Sequence, residues 1–180
     1  MNWIAQLKSR IDTSALNSWE KTIVLKRNEF LKVKGSTDTN LYFVLEGSLR
    51  IFIEDEFEEH TIRFGYQNSF IAALDSFIKE TPSDLYIQAL KKTRLHVMSK
   101  PAYLRFIEED PDHKELWWQI IESLICQQME REVDILISSP LERYKRVLER
   151  SPQLFQEIPN KYIASYLRMS PETLSRIQKS

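Results

Sequence analysis

Glycine is scarce in this chain. Three residues in 180, Gly35, Gly47 and Gly65, leave no glycine-rich loop to cradle a phosphate. One cysteine, Cys126, excludes an intramolecular disulfide and a four-cysteine iron–sulfur site. The histidines are His60, His96 and His113, with no His-x-His pair, whereas a cupin-type metal enzyme needs several imidazoles and a carboxylate on one ion. No nucleophile elbow is present either. No uninterrupted apolar run reaches the length of a membrane span, and the N-terminus lacks the basic, apolar and small-residue succession of a secretion signal. These absences lead to the expectation of a cytoplasmic protein that is not an enzyme, with no cofactor, no metal and no membrane partner.

Charge is nearly balanced, with 25 basic against 26 acidic residues and a net −1, so the chain as a whole is no polycation. Its distribution is uneven. From Ser139 to Ser180 there are eight Lys or Arg against four Glu, while the first 138 residues carry 17 basic against 22 acidic. Within that basic end, Ile158 to Lys179 reads as two short helices joined by a tight turn. Ile163, Ala164 and Leu167 fall on one face of the first, and Leu174 and Ile177 on one face of the second, so the pair can bury a shared seam. Ser170 before Pro171 is an N-cap followed by proline at N1. Glu172, Ser175, Arg176 and Lys179 then recur on the polar face. Arginine pairs bidentately with guanine and glutamate accepts from cytosine N4, so such a face suits a major groove. Arg143, Lys145, Arg146, Arg150 and Lys161 are expected to face phosphates.

The front of the chain reads as β-structure. Leu49, Ile51 and Ile53 alternate after Gly47, as do His60, Ile62 and Phe64, then Leu85, Ile87 and Ala89, then Leu95 and Val97, a spacing that fits a sandwich or barrel. All three glycines lie here, where turns need φ freedom. Trp3 to Ile11 and Ser18 to Glu20 read as helix ahead of it. From Pro111 to Ser138 the pattern is helical again and apolar over more than one face, with Trp118, Ile121, Ile125, Met129, Val133 and Leu136 tracing a seam suited to helix pairing. One of Trp117 and Trp118 completes the monomer core. Ser139-Pro140 ends this helix. The expected division is 1–110, 111–138 and 139–180.

With these elements in view, the chain resembles the Crp/Fnr family of bacterial transcription regulators. Glu172-Thr173-Leu174-Ser175-Arg176 is similar to the family's Glu-Thr-x-Ser-Arg reading motif, and Lys34-Gly35 with Leu45-Glu46-Gly47-Ser48-Leu49 matches turns of its cyclic-nucleotide-binding barrel. The resemblance implies an α+β fold: an antiparallel β-barrel or jelly roll with flanking helices, a long dimerisation helix and a C-terminal helix-turn-helix. It implies DNA contacts from Ser170, Glu172, Thr173, Ser175, Arg176 and Lys179, with Arg176 on guanine and Glu172 on the cytosine side. It also implies a homodimer through Trp118, Ile121, Ile125 and Met129, reading an inverted repeat in double-stranded DNA. Activation needs a surface touching RNA polymerase, and no motif here identifies one. Two departures stand out. Arg168 occupies the usual glycine of the turn, where a left-handed backbone costs on the order of 1 kcal/mol, and the sequence ends at Ser180 without the β-hairpin wing.

The nucleotide cassette departs further. The family's Phe-x-Gly-Glu-Leu is here Phe70-Ile71-Ala72-Ala73-Leu74, and Ser83 and Asp84 stand where an Arg-Ser pair would hold the phosphate; Gln128 occupies the matching place on the long helix. A buried phosphate needs a positive partner and several N–H donors. Either Phe70, Phe77 and Tyr86 fill the pocket, or it takes an unknown, less anionic small-molecule effector. The expected function is a sequence-specific regulator unresponsive to cyclic AMP; the alternative is a sensor or protein-interaction module that has lost DNA reading. Calorimetric titration with cyclic AMP is expected to show no binding in the micromolar range.

Overall fold

A computed structural model describes residues 3–16 and 18–179. Helix α1 (Trp3–Thr13) precedes eight strands: β1 (Lys21–Leu25), β2 (Phe30–Lys32), β3 (Asn40–Glu46), β4 (Ser48–Glu54), β5 (Glu59–Tyr66), β6 (Phe70–Ile71), then short helix α2 (Leu74–Lys79), β7 (Tyr86–Ala89) and β8 (Thr93–Ser99). Helices follow to the end: α3 (Lys100–Glu109), α4 (Pro111–Leu136), α5 (Pro140–Arg150), α6 (Pro152–Glu157), α7 (Asn160–Tyr166) and α8 (Pro171–Lys179). The strands pair antiparallel in two four-stranded sheets, β1-β8-β3-β6 and β2-β7-β4-β5. This is a jelly roll, flanked by helices and followed by a long one. Among the described residues no helix is long and apolar enough to cross a membrane.

Alternation decides what each strand buries. Leu49 and Ile51 of β4, Ile87 and Ala89 of β7, Val44 of β3 and Leu95 and Val97 of β8 meet between the sheets. A second cluster forms where α1, α3 and α4 lie against the barrel, with Leu7, Ile11, Phe77, Met98 and Phe106 buried. Trp117 packs on Tyr103 at 4.8 Å between ring centres, while Trp118 faces outward. The third cluster joins the C-terminal helices to the barrel: Phe64 of β5 and Leu90 pack with Val147, Leu154, Ile163, Ala164, Leu167 and Leu174.

Two expectations are corrected here. Ser18 to Glu20 is not helical; the Glu20 N–H donates to the Val97 carbonyl at 2.9 Å and its carboxylate accepts from Ser99, so this stretch leads into β1 alongside β8. Gly47 does serve a turn, with φ +99° and no room for a Cβ against the Lys92 carbonyl, but Gly65 does not. It sits inside β5 opposite Leu49, and a Cβ there would come within 2.3 Å of the Ile71 side chain. Its requirement is close packing.

Helix boundaries follow their caps. Asp110 accepts from the Asp112 N–H at 2.9 Å with Pro111 at the first position, starting α4, and Ser139 accepts from the Glu142 N–H at 3.3 Å with Pro140 behind it, starting α5. Across that break, Asp134 of α4 is wholly buried and receives Arg146 Nε at 2.9 Å and the Arg150 guanidinium. Removing one member of a buried pair leaves the other uncompensated. The Asp134→Asn variant is expected to lose about 2–4 kcal/mol in denaturant unfolding, reduced from the fully buried case because both arginines keep some solvent contact.

Candidate nucleic-acid interface

Helices α7 and α8 cross over small and apolar residues. Ile163, Ala164, Leu167 and Leu174 are fully buried, and Ala164 is small where the helices meet. The turn between them is closed by the Met169 N–H to the Ala164 carbonyl at 3.0 Å, with Arg168 at φ +53°. A non-glycine residue in this region carries a steric cost. Arg143 of α5 counteracts it: Nε donates to the Leu167 carbonyl at 2.8 Å, Nη2 to the Arg168 carbonyl at 3.0 Å, and Nη1 to the Ile137 carbonyl at 2.5 Å. One guanidinium thus satisfies the end of α4 and the end of α7 together.

Ser170 caps α8, its hydroxyl accepting from the Thr173 N–H at 3.2 Å and lying 3.2 Å from the Thr173 hydroxyl. These two residues therefore shape the helix start. Glu172, Arg176 and Lys179 are exposed, Ser175 is half-buried, and with Pro171 they line one shallow strip on the face away from Leu174. The Glu172 carboxyl is held below its ordinary value by its own backbone N–H and then by the Ser170 hydroxyl. The ionised carboxylate is an acceptor only.

Sequence reasoning missed what the basic residues of α5 do. Arg143 is buried on carbonyls, and Arg146 and Arg150 are engaged by Asp134. Arg143 does not face outward to a phosphate, while Arg146 and Arg150 are held to Asp134 and keep only part of their surface in solvent. Lys145 and Lys161 are exposed. The signal was Asp134, an acid between Val133 and Ile135 near the end of α4; nothing in spacing alone ties it to arginines twelve and sixteen residues on.

The head also rests on the barrel. Ser165 Oγ of α7 donates to the Glu59 carbonyl at 3.1 Å and accepts from the Thr61 N–H at 3.2 Å. Arg50 of β4 lies between the Phe52 and Tyr162 rings, 3.8 and 4.5 Å from their centres, with Gln88 and Glu59 on its nitrogens. At the tip of the β4–β5 hairpin the Asp55 carboxyl is held well below the usual carboxylate range, chiefly by its hydrogen bond to His60, then by the Phe57 and Glu58 N–H groups.

At the cassette, Ala73 and Ser83 are buried, Ala72 and Leu74 half-buried, and Asp84 exposed; Gln128 is exposed on α4. The six residues thus range from buried to exposed. Ser83 is tied to the Gly35 turn by backbone hydrogen bonds of 2.9 and 3.2 Å, and its hydroxyl accepts from the Leu85 N–H. Positive charge does lie beside it: Lys32, buried, donates to the Val33, Ser83 and Leu85 carbonyls at 3.0, 3.0 and 2.8 Å. Burial lowers its pKa against the pull of Asp75, Asp38 and Asp84. Phe70, Phe77 and Tyr86 are not the filling. Phe77 packs on Tyr103, Phe70 on Phe43 and Trp19, and Tyr86 stacks on Phe52, while aliphatic residues and Tyr42 pack the space between the sheets.

A jelly roll with a short helix between β6 and β7 is the arrangement whose sequence profile, that of the cyclic nucleotide-binding domain, matches residues 22–110. That match covers just under half of the chain. Together with α4 and the C-terminal helices, the matched region gives a fold shared with several solved structures. FixK2 from Bradyrhizobium japonicum is similar with TM-score 0.75 at 14% identity, over 88% of this chain and 82% of that one. A CooA mutant from Carboxydothermus hydrogenoformans gives 0.73 at 14% identity, over 96% and 82%. CLP from Xanthomonas campestris, a c-di-GMP responsive global regulator, gives 0.68 at 15% identity, over 97% and 90%. A search of curated proteins finds no match. Within this fold the cap of α8 has a measurable role. Replacing Ser170 by alanine is expected to cost about 1 kcal/mol of stability and to move the Glu172 titration midpoint, followed by NMR, back up toward that of an ordinary glutamate. Because the folded carboxyl is depressed, that contribution is present above the unfolded value and fades as pH falls through the folded one.

Proposed function

We propose that the chain is a sequence-specific DNA-binding transcription regulator acting as a homodimer, with α8 entering the major groove. The observation that carries this reading is the outer face of α8. Glu172, Ser175, Arg176 and Lys179 point away from a buried seam, on a helix whose start, turn and neighbour are all hydrogen-bonded into place. That is a rigid display of a guanidinium and a carboxylate, the pair that separates G·C from other base pairs. Ser170 and Thr173 support the helix start at the groove edge.

Dimerisation rests on α4. Trp118, Ile125, Met129 and Leu136 are 60, 55, 63 and 82% exposed, with Ile121 half-buried on the same side, and water is a poor neighbour for such a stripe. A second α4 covers it, and two-fold pairing suits an inverted repeat. Residues 1–110 then form the sensory barrel, 111–138 the pairing helix and 139–180 the reading head, in a cytoplasmic protein. Unresponsiveness to cyclic AMP is part of the proposal. It is supported by Ala72 and Ala73 in place of the family's Gly-Glu and by Lys32, whose ammonium is already occupied by three carbonyls. Any small-molecule effector then binds without that machinery, and contact with RNA polymerase decides whether the regulator activates or represses.

Selection from a randomised duplex pool at stated salt tests the reading. Arg176→Ala and Glu172→Ala are each expected to lose about 1–3 kcal/mol of discrimination at particular base pairs. Lys161→Ala is expected to weaken all duplexes alike and to reduce the salt slope by about one. A protein-interaction module would enrich no sequence.

A further inference from the structure

The turn between α7 and α8 is held from two sides. Arg143 holds its backbone, as described, and the barrel holds its side chain: Arg168 Nη1 lies 3.1 Å from His60 Nδ1 on β5. The other imidazole nitrogen, Nε2, lies 2.6 Å from Asp55 Oδ2. A guanidinium only donates, so Nδ1 must accept from it. The ring proton then sits on Nε2 and is donated to Asp55, and the imidazole in this arrangement is neutral.

The charged groups facing His60 come from three places. Asp55 and Glu58 belong to the β4–β5 turn, Arg168 to the α7–α8 turn, and Glu59, next on the strand, is taken by Arg50 at 2.6 Å. Glu58 Oε1 stands 3.7 Å from the same Nδ1 that Arg168 uses. A proton on Nδ1 removes the lone pair that Arg168 needs, sets two cations against each other, and gives Glu58 a donor. The proton thus exchanges one partner for another, from the head to the hairpin. The Ser165 contacts and the Arg50–Tyr162 stack involve no titrating partner change, so α7 stays on β5 while the turn after it is loosened.

We propose that His60 is a positioning residue for the reading helix: its neutral form fixes the Arg168 turn to the barrel, and its protonation frees that turn and weakens operator binding. This rests on the DNA-reading function proposed above. It adds to that function a barrel-to-head link, and a dependence on pH carried by the barrel rather than by α8.

His60→Gln is the informative variant, because its amide oxygen accepts from Arg168 and its amide nitrogen donates to Asp55 without titrating. The probe is the duplex selected from the randomised pool, measured at constant ionic strength from pH 8 to pH 6. The wild type is expected to lose affinity by about three- to tenfold over that range, while His60→Gln keeps its pH 8 affinity throughout. Arg168→Ala, which removes the contact from the other side, is expected to be weaker at pH 8 and flat. Parallel pH profiles for wild type and His60→Gln overturn the proposal. A second readout needs no DNA: backbone amide exchange of residues 165–170, compared between the two proteins at each pH. Faster exchange in the wild type at pH 6 and equal exchange at pH 8 support the latch; equal exchange at both refutes it. A latch seen by exchange with no sequence preference at any pH refutes the DNA-reading function while supporting the latch.

Discussion

Asp134 has no solvent contact, and two arginines of the next helix converge on it. A carboxylate in that position must be paired, because an unpaired buried charge costs several kcal/mol, and Arg146 and Arg150 pair it by bringing α5 back against the end of α4. With α5 placed, Arg143 reaches the carbonyls at the ends of α4 and α7. With α7 placed, its buried seam leaves one orientation for α8. The direction of the reading face is therefore decided some forty residues upstream of it.

What could be read from residues alone follows from what periodicity contains. The seam of Ile163, Ala164, Leu167 and Leu174 and the cap at Ser170 are local patterns, and each is present where expected. Arg168 in a left-handed turn was legible for the same reason. Long-range pairings were not. Arg143, Arg146 and Arg150 read as free basic residues because spacing marks a polar face without naming what meets it. Gly65 read as a turn because its Ile71 neighbour belongs to another strand. Aromatic residues of the cassette read as filling because their number is visible and their direction is not; they pack on helices and on the outer aromatic stack instead.

In the barrel, alanines stand at positions 72 and 73 while two of the turns keep their glycines. The Gly35 and Gly47 turns and the short helix α2 persist, and Lys32 supplies hydrogen bonds to the Ser83 and Leu85 carbonyls. An ammonium surrounded by backbone oxygens is a structural brace. It stabilises the loop through those carbonyls, and barrel and head are joined on the side that touches α7, through Arg50, Ser165 and the strand β5.

The apolar stripe on α4 carries a consequence for dosage. If two chains must meet to bury Trp118, Ile125 and Met129, the amount of assembled protein at low abundance grows with the square of the amount synthesised. Twofold more synthesis then yields about four times as much of the paired species. Such a chain responds to its own expression level more steeply than a monomer, before any metabolite or proton is sensed.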